Sequence, residues 1–159
     1  MKRIIGIDPG ISTTGYGIIE KNHSDHRAIA YGTISPPTRQ NIYKRLAYLY
    51  DGICQIIVKY HPDEMAIEEA FFSKNARTAL VLGQARGVIL LAAAHQNLDC
   101  FEYSPRKIKM SVVGNGNASK EQVQYMVTSL LLLSETPAEF DITDALATAL
   151  CHLNQRRNL

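Results

Sequence analysis

Short apolar runs and turn residues divide the first part of the chain into three strands and a helix. The segments RIIGID, GYGIIE and AIAYGTIS are rich in β-branched and aromatic residues, and Gly-containing turns separate them. They predict an antiparallel meander that ends at Pro36-Pro37. From Thr38 to Tyr60 apolar residues recur every three or four positions, which predicts an amphipathic helix over 38–60.

The rest of the chain adds two strands and four helices. After His61-Pro62, EMAIEE predicts a fourth strand and LDCFEYS a fifth, with a long helix from Asn75 to Gln96 between them. A shorter helix follows Ser104-Pro105, another runs from Ser119 through QVQYMVTSLLLL, and the last covers DITDALATALCHLNQ. This order predicts an α/β fold with a mixed sheet covered by helices.

Composition indicates one soluble globular domain over residues 1–159, with 46% hydrophobic and 20% charged residues. The formal net charge of +2 neither requires nor excludes nucleic acid, because an acidic site surrounded by Lys and Arg also sums to little. Three widely spaced cysteines indicate neither disulfides nor zinc. Asp8-Pro9 interrupts the apolar start and Arg86 the longest apolar run, so we expect a cytoplasmic protein with no membrane segment.

Four acids stand at the ends of predicted elements. Asp8 ends the first strand, Glu68 lies at the end of the fourth, and Asp141 and Asp144 lie three apart at the start of the last helix, where they share a face. Strand alternation puts Glu68 and Glu69 on opposite faces, so at most one of them can join Asp8. We choose Glu68, the earlier and more strand-like position.

Carboxylates held close together repel one another unless they bind cations. An all-oxygen ligand set suits Mg²⁺ or Mn²⁺, and two such ions can activate water and stabilise the leaving oxygen of a phosphodiester. Each acid also has a simpler explanation. Asp141 and Asp144 could stabilise a helix N-terminus, Asp8 could belong to a turn, and Glu68 could be a surface acid. Spacing alone leaves these alternatives open.

Four blocks of sequence together resemble the RuvC family of Holliday-junction resolvases. They are GIDPG with TGYG, AIEEAFFSKNARTALVLGQARG, VVGNGNASKEQV and DITDALATAL, and they extend in this order from about Ile4 to His152. The resemblance implies a ribonuclease H-like fold, a five-stranded mixed sheet whose first three strands are antiparallel, flanked by helices. It implies a Mg²⁺-dependent, structure-selective endodeoxyribonuclease of recombination and repair. Such an enzyme resolves four-way junctions by paired symmetric nicks that leave 5′-phosphate and 3′-hydroxyl ends.

The resemblance also implies roles for individual acids. Asp8, Glu68, Asp141 and Asp144 match the catalytic carboxylates of the family and would hold two Mg²⁺ ions, with Mn²⁺ as a substitute. Some relatives carry His where this chain has Asp141. Where relatives commonly have Gln after the catalytic Glu, this chain has Glu69, whose competition for metal would weaken the choice of Glu68.

DNA contacts are implied by motif position. The family stacks an aromatic within the opened junction, which here is Phe71 with Phe72 beside it, although both could instead pack in the core. Lys109 and Lys120 match family lysines near the scissile phosphate. Further candidates for backbone contacts are Lys74, Arg77, Arg106 and Lys107. Solvated surface is the simpler explanation for these four.

Paired cuts on a two-fold symmetric junction require two active sites, so we expect a C2 homodimer. Gly83 and Gly87, four apart on the long helix, would allow close helix approach there, although packing against the sheet is the alternative. The family implies the branch-migration partners RuvA and RuvB.

We consider three rival functions. They are a YqgF-like nuclease of ribosomal RNA processing, an actin-like or sugar-kinase phosphate site, and a non-catalytic junction binder. The phosphate site needs two lobes, which 159 residues do not supply. The junction binder would need at least one lost acid, and all four are present.

Overall fold

The computed structural model describes residues 1–69 and 75–156. The strands in these ranges are β1 (Lys2–Asp8), β2 (Thr14–Asn22), β3 (Asp25–Ile34), β4 (Glu64–Glu68) and β5 (Asp99–Tyr103). The helices are α1 (Ile42–Tyr60), α2 (Ala76–His95), α3 (Pro105–Val113), α4 (Lys120–Leu130) and α5 (Phe140–Arg156). The predicted order of strands and helices is confirmed.

The strands form one sheet in the order β3-β2-β1-β4-β5. The β1–β2 and β2–β3 pairs are antiparallel, whereas β1–β4 and β4–β5 are parallel, as the mixed-sheet prediction requires. Ile7 of β1 pairs with Ile67 of β4. Because the two strands run in the same direction, the next residues, Asp8 and Glu68, end side by side at one edge of the sheet.

Helices cover both faces of the sheet and form two separate cores. On one face Ile5 of β1 packs with Ile53 of α1 and Ile89 of α2, and all three side chains are fully buried. On the other face Ile4 packs with Leu146 of α5 and with neighbours from α3 and α4. Each such side chain contributes about 1.5–3 kcal/mol through removal from water, which holds α5 firmly on the sheet.

Two glycines allow α5 to lie directly on the sheet. A Cβ atom at Gly6 of β1 would stand 2.0 Å from the carbonyl oxygen of Ala145, and one at Gly15 of β2 would stand 2.0 Å from that of Asp141. Real side chains do not tolerate such contacts, so only glycine fits here. The first turn of α5 therefore reaches the edge where β1 and β4 end.

Two helices are shorter than their apolar patterns predict. α1 begins at Ile42 and not at Thr38, because Asn41 still has the extended backbone of a cap. α4 ends at Leu130 and does not continue through the leucine run to Leu133. Leu132 adopts a left-handed φ of 50° and is 87% exposed, so it terminates the helix despite its apolar side chain.

Candidate active site

The four acids predicted from the sequence line one cleft, a cavity of about 420 Å³. Asp8 and Glu68 reach it from the ends of the parallel neighbours β1 and β4. Asp141 and Asp144 reach it from the first turns of α5, one helical turn apart. Three segments far apart in sequence thus place their carboxylates at a single edge of the sheet.

The electrostatics of the cleft are those of crowded, partly buried carboxylates. Burial, and then the charges of Glu68 and Asp144, raise the pKa of Asp8 from its ordinary 3.8 to about 9. A hydrogen bond with the side chain of Glu68 adds to the pKa rise. Burial and the charge of Glu68 also raise the pKa of Asp144, to about 6. Without a cation, the cluster therefore retains a proton at neutral pH.

The donor chemistry of the cleft fits a hard divalent cation. Four carboxylates and no nitrogen or sulfur ligand suit Mg²⁺ or Mn²⁺ better than zinc. Within residues 1–69 and 75–156, no three His, Cys, Asp or Glu side chains are arranged to hold an ion as they stand. Asp8 and Glu68 instead share a hydrogen bond. Binding a cation would require these two side chains to lose their shared proton and turn toward the ion.

Two lysines also form part of the cleft wall. Lys109 of α3 and Lys120 of α4 both line it, and their charges partly offset the rise in the pKa of Asp144. α3 begins at the N-cap Ser104, whose side chain accepts a hydrogen bond from the helix backbone. α4 begins with a capping box at Ser119, directly before Lys120. These caps fix where the two lysine-bearing helices start.

The other predicted site residues divide into two groups. Arg77, Arg106 and Lys107 are exposed and are not among the described residues that line the cleft, and Lys107 lies 5.6 Å from the Tyr103 ring. Exposed Glu69 is likewise absent from the described lining, so it does not compete with Glu68 in this arrangement. Outside the described residues lie Phe71, Phe72 and Lys74.

Two residues near the acids were not predicted from the sequence. Thr148 lines the cleft and donates a 2.8 Å hydrogen bond to the backbone carbonyl of Asp144. Its position four residues after Asp144 was the available signal. Arg86 of α2 donates to the backbone carbonyl of Glu68. Its signal in the sequence was a lone charge inside an apolar helix.

The outer face of α2 is apolar and open. A Cβ atom at Gly83 or Gly87 would meet nothing within 4 Å, and Leu80 and Leu91 are 66% and 49% exposed. The opposite face carries Ile89 into the core. α2 thus packs on the sheet and still leaves its glycine face free. Among the described helices, α2 is also long and apolar enough to cross a membrane, by length and composition only.

Comparison with known proteins identifies relatives over nearly the whole chain. A family described as crossover junction endodeoxyribonuclease RuvC matches residues 4–152. The protein of that name from Caldicellulosiruptor saccharolyticus is 52% identical over 152 residues, which cover 95% of this chain and 92% of the relative. The one from Clostridioides difficile is 49% identical over 154 residues, or 97% and 91% of the two chains.

A solved structure gives a similar result. T. thermophilus RuvC in complex with Holliday junction substrate superposes with a TM-score of 0.94 at 29% sequence identity. The match covers 99% of this chain and 96% of that one. The likeness therefore extends over the whole fold, including the edge of the sheet that carries the four acids.

Proposed function

Because this chain belongs to the RuvC family of crossover junction endodeoxyribonucleases, we propose that its four-carboxylate cleft cuts four-way DNA junctions by metal-dependent hydrolysis. The chain is a Holliday-junction resolvase with the ribonuclease H-like fold of that family. The observation that carries the assignment of the cleft is the convergence of Asp8, Glu68, Asp141 and Asp144 beside two lysines. Three other pockets formed by described residues contain at most one acid each.

The acids would act as ligands of the metal. Asp8, Glu68, Asp141 and Asp144 would hold two Mg²⁺ ions, with Mn²⁺ as a substitute. When bound, such ions acidify a water and neutralise charge on the leaving oxygen of a phosphodiester. To hold an ion Asp8 would give up its proton, and the crowded carboxylates that raise its pKa would then favour a bound cation.

The lysines would serve the substrate. Lys109 and Lys120 stand on the cleft wall where a phosphate between them and the acids would gain a compensating charge. Exposed Arg77 would contact the DNA backbone outside the cleft. A backbone contact is also proposed for Lys74. Phe71, with Phe72 beside it, would stack on a base of the opened junction, a contact worth about 1–3 kcal/mol.

Paired nicks require two copies of the cleft, and we propose a C2 homodimer built on the outer face of α2. The support is the exposed stripe of Leu80, Gly83, Gly87 and Leu91, which leaves room for a second helix to approach closely. The chain would act as a single nuclease domain in the cytoplasm. Its family implies work beside the branch-migration proteins RuvA and RuvB.

A synthetic four-way junction tests the function directly. With Mg²⁺ or Mn²⁺ we expect paired nicks at symmetric positions, with 5′-phosphate and 3′-hydroxyl ends that ligase can seal, and none in EDTA. Junction binding without nicks would favour a non-catalytic binder. Preferential cutting of structured ribosomal RNA over the junction would favour the YqgF-like alternative. Either result would overturn the proposal.

A further inference from the structure

Arg86 is a buried charge in an otherwise apolar helix. It lies in the third turn of α2, within the run ALVLGQARGVILLAAA, and only 9% of it is exposed. A guanidinium group removed from water destabilises a fold unless good partners replace its hydration. The partners of its N–H donors therefore indicate why the charge is kept there.

The two ends of the guanidinium bind different partners. Nη2 forms a 2.6 Å ion pair with Oε1 of Glu102 on β5, a residue whose side chain is 49% exposed. Nη1 donates to the backbone carbonyl oxygen of Glu68. The ion pair balances the charge of Arg86, and the second donor is directed at the residue whose carboxylate enters the cleft.

Arg86 reaches Glu68 from the side of the sheet opposite the cleft. α2 packs on the face that carries Ile5 and Ile67, whereas the Glu68 side chain points to the α5 face beside Asp8. Arg86 therefore does not touch the cleft. It can act only by fixing the main chain from which the Glu68 carboxylate projects.

We propose that Arg86 is a positioning residue that holds the end of β4 so that the Glu68 carboxylate is aimed at the metal site. This inference rests on the proposed function of the cleft. Groups that hydrogen-bond to metal-ligating residues typically change metal affinity by about 10- to 100-fold when they are removed. A purely structural buried ion pair would instead affect stability without changing metal affinity in the folded protein.

Mn²⁺ binding to the purified protein separates these roles, with free Mn²⁺ followed by electron paramagnetic resonance. Arg86→Met keeps the length and loses both contacts, and we expect its Mn²⁺ affinity to fall about 10-fold or more. Arg86→Lys keeps the charge but has only one compact donor group, so its Mn²⁺ affinity should lie between those of Arg86→Met and wild type. This second variant keeps the test decisive if Arg86→Met does not fold. Glu102→Gln is the matched control. It removes the charge of the ion pair but leaves the Glu68 contact, so its affinity should stay within about 2-fold of wild type.

The proposal would be overturned if both Arg86 variants fold and bind Mn²⁺ with the same affinity as wild type. An equal loss in Glu102→Gln would also overturn it, because the ion pair and not the Glu68 contact would then be responsible. Junction affinity in EDTA should stay near wild type in every variant. Failure of the wild-type protein to bind Mn²⁺ or to cut junctions would be a failure of the proposed function, which is a distinguishable result.

Discussion

At the scale of single residues, the carboxylates of the cleft repel one another unless a cation is bound between them. Asp8 is the clearest case, because burial and the charges of three neighbouring carboxylates all raise its pKa and favour its protonated form. Residues that serve a reaction in this way commonly lower the stability of the fold that holds them. The consequence is measurable without substrate.

Asp8→Asn should stabilise the metal-free protein, and more so as the pH rises. The folded state keeps the Asp8 proton up to about pH 9, whereas the unfolded chain loses it near 3.8, so the folded state binds more protons between these values. The stabilisation contributed by Asp8 is fully present below about pH 3.8 and is lost as the pH rises toward about 9. Asparagine does not titrate and avoids that loss.

Denaturant unfolding in EDTA between about pH 6 and pH 9 measures this difference. At the alkaline end we expect the unfolding free energy of Asp8→Asn to exceed that of wild type by about 1 kcal/mol or more. Each pH unit over which the folded state holds one extra proton changes this free energy by about 1.36 kcal/mol. Glu69→Gln removes an exposed acid and is the control, with no comparable gain. Parallel pH profiles for wild type and Asp8→Asn would contradict the shift.

Sequence reasoning identified the acids but not the groups that support them. Local pattern placed Asp8 and Glu68 at strand ends, but only the family resemblance implied that they share one site, because the parallel pairing of β1 with β4 is a tertiary feature. Arg86 could not be linked to Glu68, because that contact depends on how α2 crosses the sheet, which no local period encodes. Resemblance, and not spacing, singled out Lys109 and Lys120 among the lysines.

At the scale of elements, the close approach of α5 to the sheet brings the acids together. Helix-to-sheet packing normally leaves room for a side chain, and at Gly6 and Gly15 there is none. The pattern GID and TGYG predicted strands with a turn between them. That the same glycines make contact surfaces for α5 became evident only from the tertiary structure.

Gly15→Ala should weaken both the fold and the site. Its methyl group would stand 2.0 Å from the carbonyl oxygen of Asp141, so the first turn of α5 must move away from Asp8. We expect a loss of about 1–3 kcal/mol in unfolding free energy and a larger loss of junction cutting than of junction binding.

Gly32→Ala is the matched control for that variant. Its Cβ would meet the hydroxyl of Tyr16 at 3.0 Å, the far end of a side chain that can shift. Full cutting activity in a folded Gly15→Ala variant would show that the tight contact does not position Asp141.

Apolar periodicity predicted the helices well except at their ends. The leucine run 130–133 continued the pattern of α4, yet the backbone turns left-handed at Leu132. The competing demand is burial, since Leu131 is 3% exposed and its neighbour is almost fully exposed. A local pattern does not reveal which leucine of such a run the core accepts.

At the scale of the whole molecule, the cleft and the proposed dimer surface lie on opposite sides of the sheet. The acids lie at the end of the sheet covered by α5, whereas α2 covers the other face and turns its glycine stripe outward. Paired nicking, as proposed, cuts two strands of a two-fold symmetric junction, so it would require a second copy of the cleft.

Gly87→Arg should separate the proposed dimer without unfolding the chain. Gly87 has open space around it, so the subunit accepts the side chain, whereas a second helix packed against it does not. Analytical ultracentrifugation should find wild-type dimers and variant monomers with similar melting temperatures, and the variant should lose paired nicking.

Leu132→Arg is the control for the dimer test, because this most exposed of the described large apolar side chains lies at the end of α4, away from α2. It should remain dimeric. If Gly87→Arg forms dimers with an unchanged dissociation constant, the subunit contact does not lie on the outer face of α2.

The adjacent residues Glu68 and Glu69 offer the sharpest test of the four-carboxylate cleft, since the same change of charge can be made on either side of one peptide bond. We expect Glu68→Gln to slow junction cutting in Mg²⁺ by about 100-fold or more, through lost stabilisation of transition-state charge, while junction binding persists. Glu69→Gln should cut like wild type, because its side chain is exposed and outside the described lining of the cleft. Equal cutting by both variants, or a loss confined to Glu69→Gln, would contradict the account.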